Sequence, residues 1–291
     1  MSRYGKCILT RLLVNSGSSK ASCRNVVSKM VPPSRRLSSA AAAAANAQGR
    51  LDLATAYRAL DKLGLSEGVC NHLSLMVPTA AAKQRDGEDV MLLIPYGLHW
   101  SQVTASSLLG LTRDNSVAEG TGQAETTAAT IHRGVHEICP GATCVMHTHM
   151  PYATALACLE EPKLEMIHQN SLRFYKGVAY DSCYNGLSED LAEGERLARC
   201  LGTDTTLFMA NHGVIVTGRT VAEAFDKTYF LERACMHQVL AMSTGRKLKL
   251  VDPKICEKTY NVFMKDVLDY ADCHFRAVQR DILENDPRVA Q

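Results

Sequence analysis

From residue 51 onward, short apolar segments alternate with amphipathic ones, and this alternation constrains the fold more than any other feature of the sequence. The segments with the length and apolar content of strands are 71–77, 89–94, 142–149, 206–209 and 214–217. Those with apolar residues at helical spacing are 51–63, 123–139, 188–200, 220–243 and much of 246–291. Residues 80–89 read as an exposed hairpin loop between the first two strands. Strands interleaved with helices predict a layered α/β fold in one domain.

The charge balance excludes two classes of partner. The chain of 291 residues has 32 Lys+Arg against 30 Asp+Glu, but its first 37 residues hold eight of the basic side chains and no acid. The remaining residues therefore hold 24 basic and 30 acidic groups, a net charge of −6. An acidic body argues against binding nucleic acid or an anionic membrane, because both need a basic surface. The longest apolar run is also too short to cross a bilayer.

The first 50 residues have the composition of a targeting signal rather than of a folded domain. Residues 1–37 are rich in Arg and Ser and lack acids, which is typical of a mitochondrial transit peptide. Arg35-Arg36-Leu37-Ser38 resembles a matrix-processing site, so we expect cleavage after Leu37 and a mature protein in the mitochondrial matrix. Residues 38–50 then form an Ala-rich linker. The alternative is a low-complexity leader without a targeting signal, on a cytoplasmic protein.

The eleven cysteines are scattered along the chain, and no two form a Cys-x-x-Cys pair. An odd number fits no closed disulfide framework in a chain of this length. We therefore expect buried free thiols that behave as small apolar side chains in a reducing compartment.

Three histidines are candidates for a metal site. His147 and His149 flank Thr148 at the end of a predicted strand, where side chains two residues apart point to the same face. His212 lies beside Gly213 in a turn between two apolar segments, and the glycine would allow a close backbone approach. Neutral imidazoles are common zinc ligands, and a catalytic zinc site uses three protein ligands and leaves one position open. Taken separately, these histidines could also be ordinary strand-end and turn residues.

A second histidine pair, His132 and His136, lies on one face of the predicted helix 123–139. Helical metal sites of the His-Glu-x-x-His type carry a catalytic glutamate inside the motif, and Arg133 occupies that position here. We therefore expect one of the two rings to pack under the sheet and the other to be solvated. No metalloprotease is indicated.

Six stretches of the sequence together resemble one known family. In chain order they are Asn71-His72-Leu73-Ser74, Leu93-Ile94-Pro95-Tyr96-Gly97-Leu98, Val103-Thr104-Ala105-Ser106-Ser107-Leu108, His132 through Pro140-Gly141-Ala142, Val145-Met146-His147-Thr148-His149 and Asn211-His212-Gly213-Val214. Their order and spacing resemble the class II aldolase/adducin family, which includes fuculose-phosphate and rhamnulose-phosphate aldolases and the adducin head domain. The similarity runs from about Leu51 to Met242 and is closer to the adducin-like branch.

The resemblance implies a fold and a metal site. The fold is a three-layer α/β class II aldolase-like fold, with a central mixed or antiparallel sheet flanked by helices. It would occupy residues 51–245, followed by a helical C-terminal extension over 246–291. The family's ligands for Zn²⁺, or another divalent metal, map onto His147, His149 and His212. The family also often forms a cyclic tetramer with active sites between subunits, so we expect a homo-oligomer.

The sequence departs from the aldolases at their acid/base. The aldolases carry a glutamate four residues before the helix histidine, and the matching residue here is Ala128. The nearest acid is Glu125, which we predict as a catalytic residue, although a solvated acid in the first turn of a helix is the simpler explanation. Asn71, Ser74 and Gly97 resemble the family's substrate pocket, and each could also be a strand-end or turn residue. His168 and Gln169 lie in a segment that could line the same cleft.

These features predict a metal-dependent aldolase-like lyase, or a related enolising enzyme, that acts on a small hydroxycarbonyl or sugar-derived substrate. The ion would stabilise the enediolate that forms as the bond breaks. One alternative is a non-catalytic, actin-binding adducin-like protein. Adducins tend to lose the metal histidines, so the presence of all three favours an enzyme. Another alternative is a dehydratase or decarboxylase on the same fold.

Overall fold

The computed structural model of the protein describes residues 38–80, 89–139, 141–186 and 191–291. The predicted transit peptide over residues 1–37 lies outside the described residues and stays a prediction. The same holds for residues 81–88 of the predicted hairpin loop and for the beginning of the predicted helix 188–200.

A single eight-stranded sheet forms the centre of the molecule. Its strands are β1 (His72–Pro78), β2 (Asp89–Leu93), β3 (Leu109–Leu111), β4 (Val117–Glu119), β5 (Cys144–Thr148), β6 (Val178–Asp181), β7 (Thr206–Met209) and β8 (Gly213–Gly218). They lie in the order β4-β3-β2-β1-β5-β8-β7-β6. Neighbouring strands are antiparallel except for β6 and β7, which are parallel. This confirms the predicted mixed or antiparallel sheet, and the structure shows that it is mixed.

Helices cover both faces of the sheet. They are α1 (Ser39–Lys62), α2 (Thr126–Ile138), α3 (Pro151–Ala157), α4 (Leu191–Leu201), α5 (Val221–Met242), α6 (Pro253–Lys265) and α7 (Val267–Asn285). On one face, α1, α5 and α7 share an apolar cluster with Cys144 and Met146 of β5. On the other face, α2 and α4 share a cluster with Val145, the residue between those two. The alternation along β5 thus places α2 on the same side of the sheet as His147. The predicted three-layer α/β architecture is confirmed.

Residues 38–50 were predicted to form an Ala-rich linker, and this prediction is wrong. Ser38 is the N-cap of α1, and residues 39–50 form the first half of that helix. Alanine has the highest helix propensity of all residues, and the Ser38 side chain caps the helix by accepting a hydrogen bond from Ala41 N. Packing adds to this local preference. Asn46 is buried, and a Cβ added at Gly49 would lie 2.6 Å from Val77 Cγ1 of β1. The alanine run is therefore continuous with the helix that the sequence predicted from residue 51.

The C-terminal region is helical, as predicted, and it closes the core. Phe275 of α7 is fully buried in the same apolar cluster as Tyr57 of α1 and Phe225 of α5. Arg276 and Gln279 donate hydrogen bonds of 2.6 and 2.9 Å to Asp52 of α1. Residues 246–291 therefore belong to the same compact unit as the sheet. Among the described helices, none is both long enough and apolar enough to span a bilayer.

The described cysteines are all free thiols, and the prediction that they are buried holds for only some of them. Those that are buried are Cys139, Cys144, Cys235 and Cys256. Cys70, Cys158, Cys183 and Cys273 are exposed, and Cys200 is intermediate.

Candidate metal centre

The centre lies where β5 ends beside the beginning of β8. The two strands are antiparallel, with Thr148 paired to Val214. In the turn before β8, Asn211 has φ +53°, a left-handed conformation that asparagine adopts more readily than most residues. A Cβ added at Gly213 would lie 2.6 Å from Thr148 O and 2.7 Å from the His149 ring. The Asn-His-Gly turn therefore permits a backbone approach that a larger residue at position 213 would block.

This approach brings three imidazoles together. One nitrogen from each of His147, His149 and His212 lies within 4.8 Å of the others. The ring centroids are 4.8 to 4.9 Å apart, and His147 Nε2 lies 3.1 Å from His149 Nε2. Within the part of the chain that the structure describes, this group contains three imidazoles and no carboxylate.

Two of the rings are held in one orientation by acceptors on their other nitrogen. His147 Nδ1 lies 3.0 Å from the carbonyl oxygen of Val214, and His149 Nδ1 lies 2.5 Å from a carboxylate oxygen of Glu67. Both partners only accept, so each Nδ1 carries a proton, and in a neutral ring the Nε2 then keeps its lone pair. Glu67 could not be identified from the sequence, because it lies 82 residues from His149.

The surroundings also favour the neutral form of His147 and His212. Burial lowers the pKa of His147 well below its usual value, and the neighbouring His72, His212 and His149 lower it further. Burial, followed by the proximity of His149, lowers the pKa of His212 to about 4. Neutral imidazole is the form that binds a divalent metal, so His147 and His212 are in their metal-binding form near pH 7.

The donor set fits a zinc-like ion. Two nitrogens at about 2.0–2.1 Å from one tetrahedral ion lie about 3.3 Å apart. The observed 3.1 Å between His147 Nε2 and His149 Nε2 is close to this separation. Both of these nitrogens carry lone pairs, and a cation between them relieves their mutual repulsion. Three neutral ligands leave one tetrahedral position for water or substrate.

A second group of histidines lies between α2 and β1. His132 is fully buried, as expected for one of the two helix histidines, but the prediction that the other is solvated is wrong. Both ring nitrogens of His136 make hydrogen bonds, one with Ser74 Oγ at 2.7 Å and one with Ala142 O at 2.6 Å. The reason is that α2 packs against the sheet, so both residues of its i, i+4 pair face inward. His132 Nε2 also lies 2.7 Å from Nδ1 of His72, a residue that sequence reasoning did not single out.

The residues predicted to bind substrate occupy three different environments. Asn71 is buried beside the centre, where its Oδ1 accepts a hydrogen bond from His149 N, and its Nδ2 has no partner among the described residues. Ser74 is fully buried, with its hydroxyl between His132 and His136. Gly97 lies in an exposed turn with φ +83°. Their substrate-binding roles stay predictions.

Glu125 lies at the beginning of α2, where its carboxylate accepts a hydrogen bond of 2.6 Å from Ala128 N. This N-cap agrees with the simpler explanation, an acid that stabilises the beginning of a helix, and a catalytic role for Glu125 stays a prediction. Ala128, at the position of the family's glutamate, packs in an apolar cluster. His168 does not join the metal centre but lies 2.7 Å from His237 of α5, nitrogen to nitrogen.

Comparison with known proteins identifies the relatives of this chain. The profile of the Class II Aldolase and Adducin N-terminal domain matches residues 51–239. A Caulobacter vibrioides protein named "Putative aldolase class 2 protein" is 34% identical over 211 residues, which cover 72% of this chain and 79% of that protein. Human beta-adducin is 33% identical over 200 residues, which cover 67% of this chain but only 26% of the adducin.

Two solved structures show the same fold. An aldolase II superfamily protein from Pseudomonas syringae superposes with a TM-score of 0.76 at 25% identity, covering 85% of this chain and 96% of that structure. An L-fuculose 1-phosphate aldolase from Glaciozyma antarctica gives a TM-score of 0.70 at 22% identity, covering 87% of this chain and 96% of the aldolase.

Proposed function

This chain belongs to the class II aldolase and adducin family, and from that premise we propose that it is a divalent-metal-dependent lyase that acts on a small hydroxycarbonyl compound. The observation that carries the proposal is the group of three imidazoles, His147, His149 and His212, whose ligand nitrogens lie within 4.8 Å of one another. A scaffold protein has no need for three neutral histidines facing each other, whereas a metal site does.

The three histidines would hold the ion, with Zn²⁺ the expected metal and another divalent cation the alternative. When bound, such an ion polarises a carbonyl oxygen and stabilises the negative charge that develops as a carbon–carbon bond breaks. Val214 O and Glu67 keep the rings of His147 and His149 in the tautomer that presents Nε2. Asn71 Nδ2 is the donor that we assign to a substrate oxygen, since it is buried beside His149 without a partner among the described residues.

The test combines metal analysis with a substrate screen. Purified full-length protein should contain about one divalent ion per chain by mass spectrometry. The metal-loaded protein should release an aldehyde or ketone from at least one compound in a library of hydroxycarbonyl metabolites. His168→Ala is the matched control, because it removes a histidine outside the metal centre. A protein that binds no divalent ion under any loading condition would contradict the proposal.

The alternative activity, binding to actin, is tested on the same preparation. The similarity to human beta-adducin covers about a quarter of that protein, so its partners do not transfer to this chain. We expect no co-sedimentation with actin filaments. Co-sedimentation of a metal-free, catalytically silent protein would favour the adducin-like scaffold instead.

We also propose that the mature protein is in the mitochondrial matrix and is a homo-oligomer. The first proposal rests on the acid-free, Arg- and Ser-rich composition of residues 1–37. Cleavage after Leu37 would leave Ser38, the N-cap of α1, as the first residue. N-terminal sequencing of native protein should therefore begin near Ser38, and an intact Met1 would contradict import. Light scattering should give several times the mass of one chain.

A further inference from the structure

One hydrogen-bonded series of buried groups connects the backbone at Ala142 with the edge of the metal centre. His136 Nδ1 lies 2.6 Å from Ala142 O, and His136 Nε2 lies 2.7 Å from Ser74 Oγ. The same Ser74 hydroxyl contacts His132 Nδ1, and His132 Nε2 lies 2.7 Å from His72 Nδ1. The series has no branch among these groups, so each proton position depends on its neighbour.

The carbonyl at one end fixes the direction of every bond. Because Ala142 O can only accept, the proton of neutral His136 is on Nδ1, and its Nε2 accepts. The Ser74 hydroxyl, with its single proton, must then donate to His136 and accept from His132 Nδ1. His132 Nε2 is thus an acceptor, and His72 Nδ1 donates to it. The last nitrogen of the series, His72 Nε2, is left with a lone pair.

The inner rings are neutral, as this direction requires. Burial lowers the pKa of His132 well below its usual value, and the nearby His136 and His147 lower it further. Burial lowers the pKa of His136 to about 4, even though its bond to Ala142 O acts in the opposite direction. Neutral rings whose two nitrogens both have partners, as in His132 and His136, cost little to bury.

The free end of the series lies at the metal centre. His72 on β1 is paired with His147 on β5, and their ring centroids are 4.9 Å apart. His72 is not a member of the three-histidine group, so it lies beside that group rather than in it. Its Nε2 makes no hydrogen bond with any residue that the structure describes.

We propose that His132, Ser74 and His136 are positioning residues that hold His72 as the Nδ1–H tautomer, so that His72 Nε2 accepts a hydrogen bond from a hydroxyl of the substrate. The family's glutamate position is the apolar Ala128 in this chain. The substrate part of the inference rests on the proposed function, whereas the tautomer part does not.

The tautomer part is tested on metal-free, full-length protein labelled with ¹⁵N-histidine. In ¹⁵N spectra, protonated and unprotonated ring nitrogens have well-separated shifts, and difference spectra against single His→Gln variants assign His72, His132 and His136. We expect Nδ1–H for all three rings. A wild-type spectrum in which His72 is protonated on Nε2, or is a mixture of both forms, overturns the proposal that the series holds His72 in the Nδ1–H tautomer. This measurement needs no variant of Ser74.

Ser74→Ala tests whether the Ser74 hydroxyl sets the proton positions of the neighbouring histidines or only fills space between them. Without the hydroxyl, nothing fixes the proton of His132, which can move to Nε2 and reverse the bond to His72. We expect mixed tautomers at His72 in Ser74→Ala and the wild-type pattern in Ser74→Thr, which keeps a hydroxyl. Ser171→Ala is the matched control, since it removes another fully buried serine hydroxyl that lies next to a histidine, His168. A His72 spectrum that is unchanged in Ser74→Ala overturns the role of Ser74.

The substrate part is tested by calorimetry on zinc-loaded protein with two probes that differ by one hydroxyl, glycolate and acetate. A lost hydrogen bond changes affinity by about three- to tenfold. We expect Ser74→Ala to reduce the preference for glycolate over acetate by that factor and to leave acetate binding unchanged. An unchanged preference, with the tautomers as expected, overturns the acceptor role of His72. Failure to load any divalent ion would instead contradict the proposed function and leave the tautomer result standing.

Discussion

Two groups of three histidines lie on the same side of the central sheet, a few ångströms apart, and differ in what their nitrogens face. In the metal centre, His147 Nε2 and His149 Nε2 face each other 3.1 Å apart. In the inner group (His72, His132 and His136), nitrogens face complementary donors and acceptors, with the Ser74 hydroxyl between two of the rings.

The difference shows that the partner of each nitrogen, rather than the residue type or its burial, decides what a histidine can do. Two nitrogen lone pairs that face each other repel, and a cation bound between them removes the repulsion. A donor that faces an acceptor already forms a hydrogen bond, which leaves no lone pair for a cation. We therefore expect a substitution in one group to leave the metal ligands or hydrogen bonds of the other group in place, and the predictions below use that independence.

The largest expected effect is the loss of metal from His147→Ala. Removing a supporting partner of a ligand typically weakens metal binding 10- to 100-fold, so removing a ligand should weaken it more than 100-fold. Turnover should be lost in parallel. Metal content after dialysis and a competition titration with a chromophoric chelator measure the effect. If His147→Ala keeps its ion, the ligand assignment is wrong.

His136→Ala provides the contrast, because it removes a histidine of the inner group that lies away from the ion. We expect its metal affinity to stay within about threefold of wild type in the same titration. Loss of metal from this variant as well would mean that the two groups act as one unit.

The next effect concerns Glu67, which connects the metal centre to an exposed segment. Glu67→Ala removes the acceptor that holds His149 Nδ1, and we expect metal affinity to fall about 10- to 100-fold. Glu67→Gln keeps an acceptor oxygen and should lie between this variant and wild type. Glu161→Ala, which changes an exposed acid elsewhere, is the control. Equal affinities for Glu67→Ala and wild type would show that the ring needs no such support.

The third effect is a pH dependence of stability that arises from the inner group. The pKa of His136 is about 4 in the folded protein and about 6.5 when unfolded, so the unfolded state binds more protons between these values. The contribution is fully present above about pH 6.5 and is lost as the pH falls towards 4. Between pH 7 and 5 it amounts to at most about 2 kcal/mol, since part of the residue remains exposed.

Urea unfolding of metal-free protein at several pH values measures this effect. Because the ligand histidines also titrate without the ion, the informative quantity is the difference between wild type and His136→Gln. Below pH 6.5, the free energy of unfolding of the variant should fall less steeply with decreasing pH than that of wild type. The difference in slope should correspond to at most one proton taken up on unfolding. Identical slopes would mean that His136 is not held neutral.

The fold was largely predictable from the sequence because its signals are local. Periodicity and turn residues identified five of the strands and most of the helices, and the Asn-His-Gly turn pointed to His212. The linker predicted over residues 38–50 was wrong, because a run of alanines without an apolar stripe carries no sign of the sheet that it packs against. The high helix propensity of alanine and the Ser38 cap are the local features that agree with the helix.

The site was predictable only where its residues form a pattern along the chain. His147 and His149 are two residues apart on a strand, whereas Glu67 reaches His149 across 82 residues and His72 reaches His132 across 60. Contacts of that kind depend on strand order and helix placement, which no local spacing encodes. His136 was misjudged for the same reason, since only the packing of α2 on β1 shows that both of its nitrogens are bonded.

The smallest expected effect decides the role of Glu125. As the N-cap of α2 it should stabilise the protein by about 1 kcal/mol, so Glu125→Ala should lower the free energy of unfolding by that amount and leave metal affinity unchanged. Thr220→Ala, at the N-cap of α5, is the matched control with a similar loss of stability.

The same variants test a catalytic role for Glu125, because a general acid or base contributes about 100- to 10,000-fold to turnover. If Glu125→Ala and Glu125→Gln both lose activity on that scale while Thr220→Ala does not, Glu125 transfers a proton and its cap is secondary. If turnover changes less than twofold, the metal centre works without the Glu125 carboxylate.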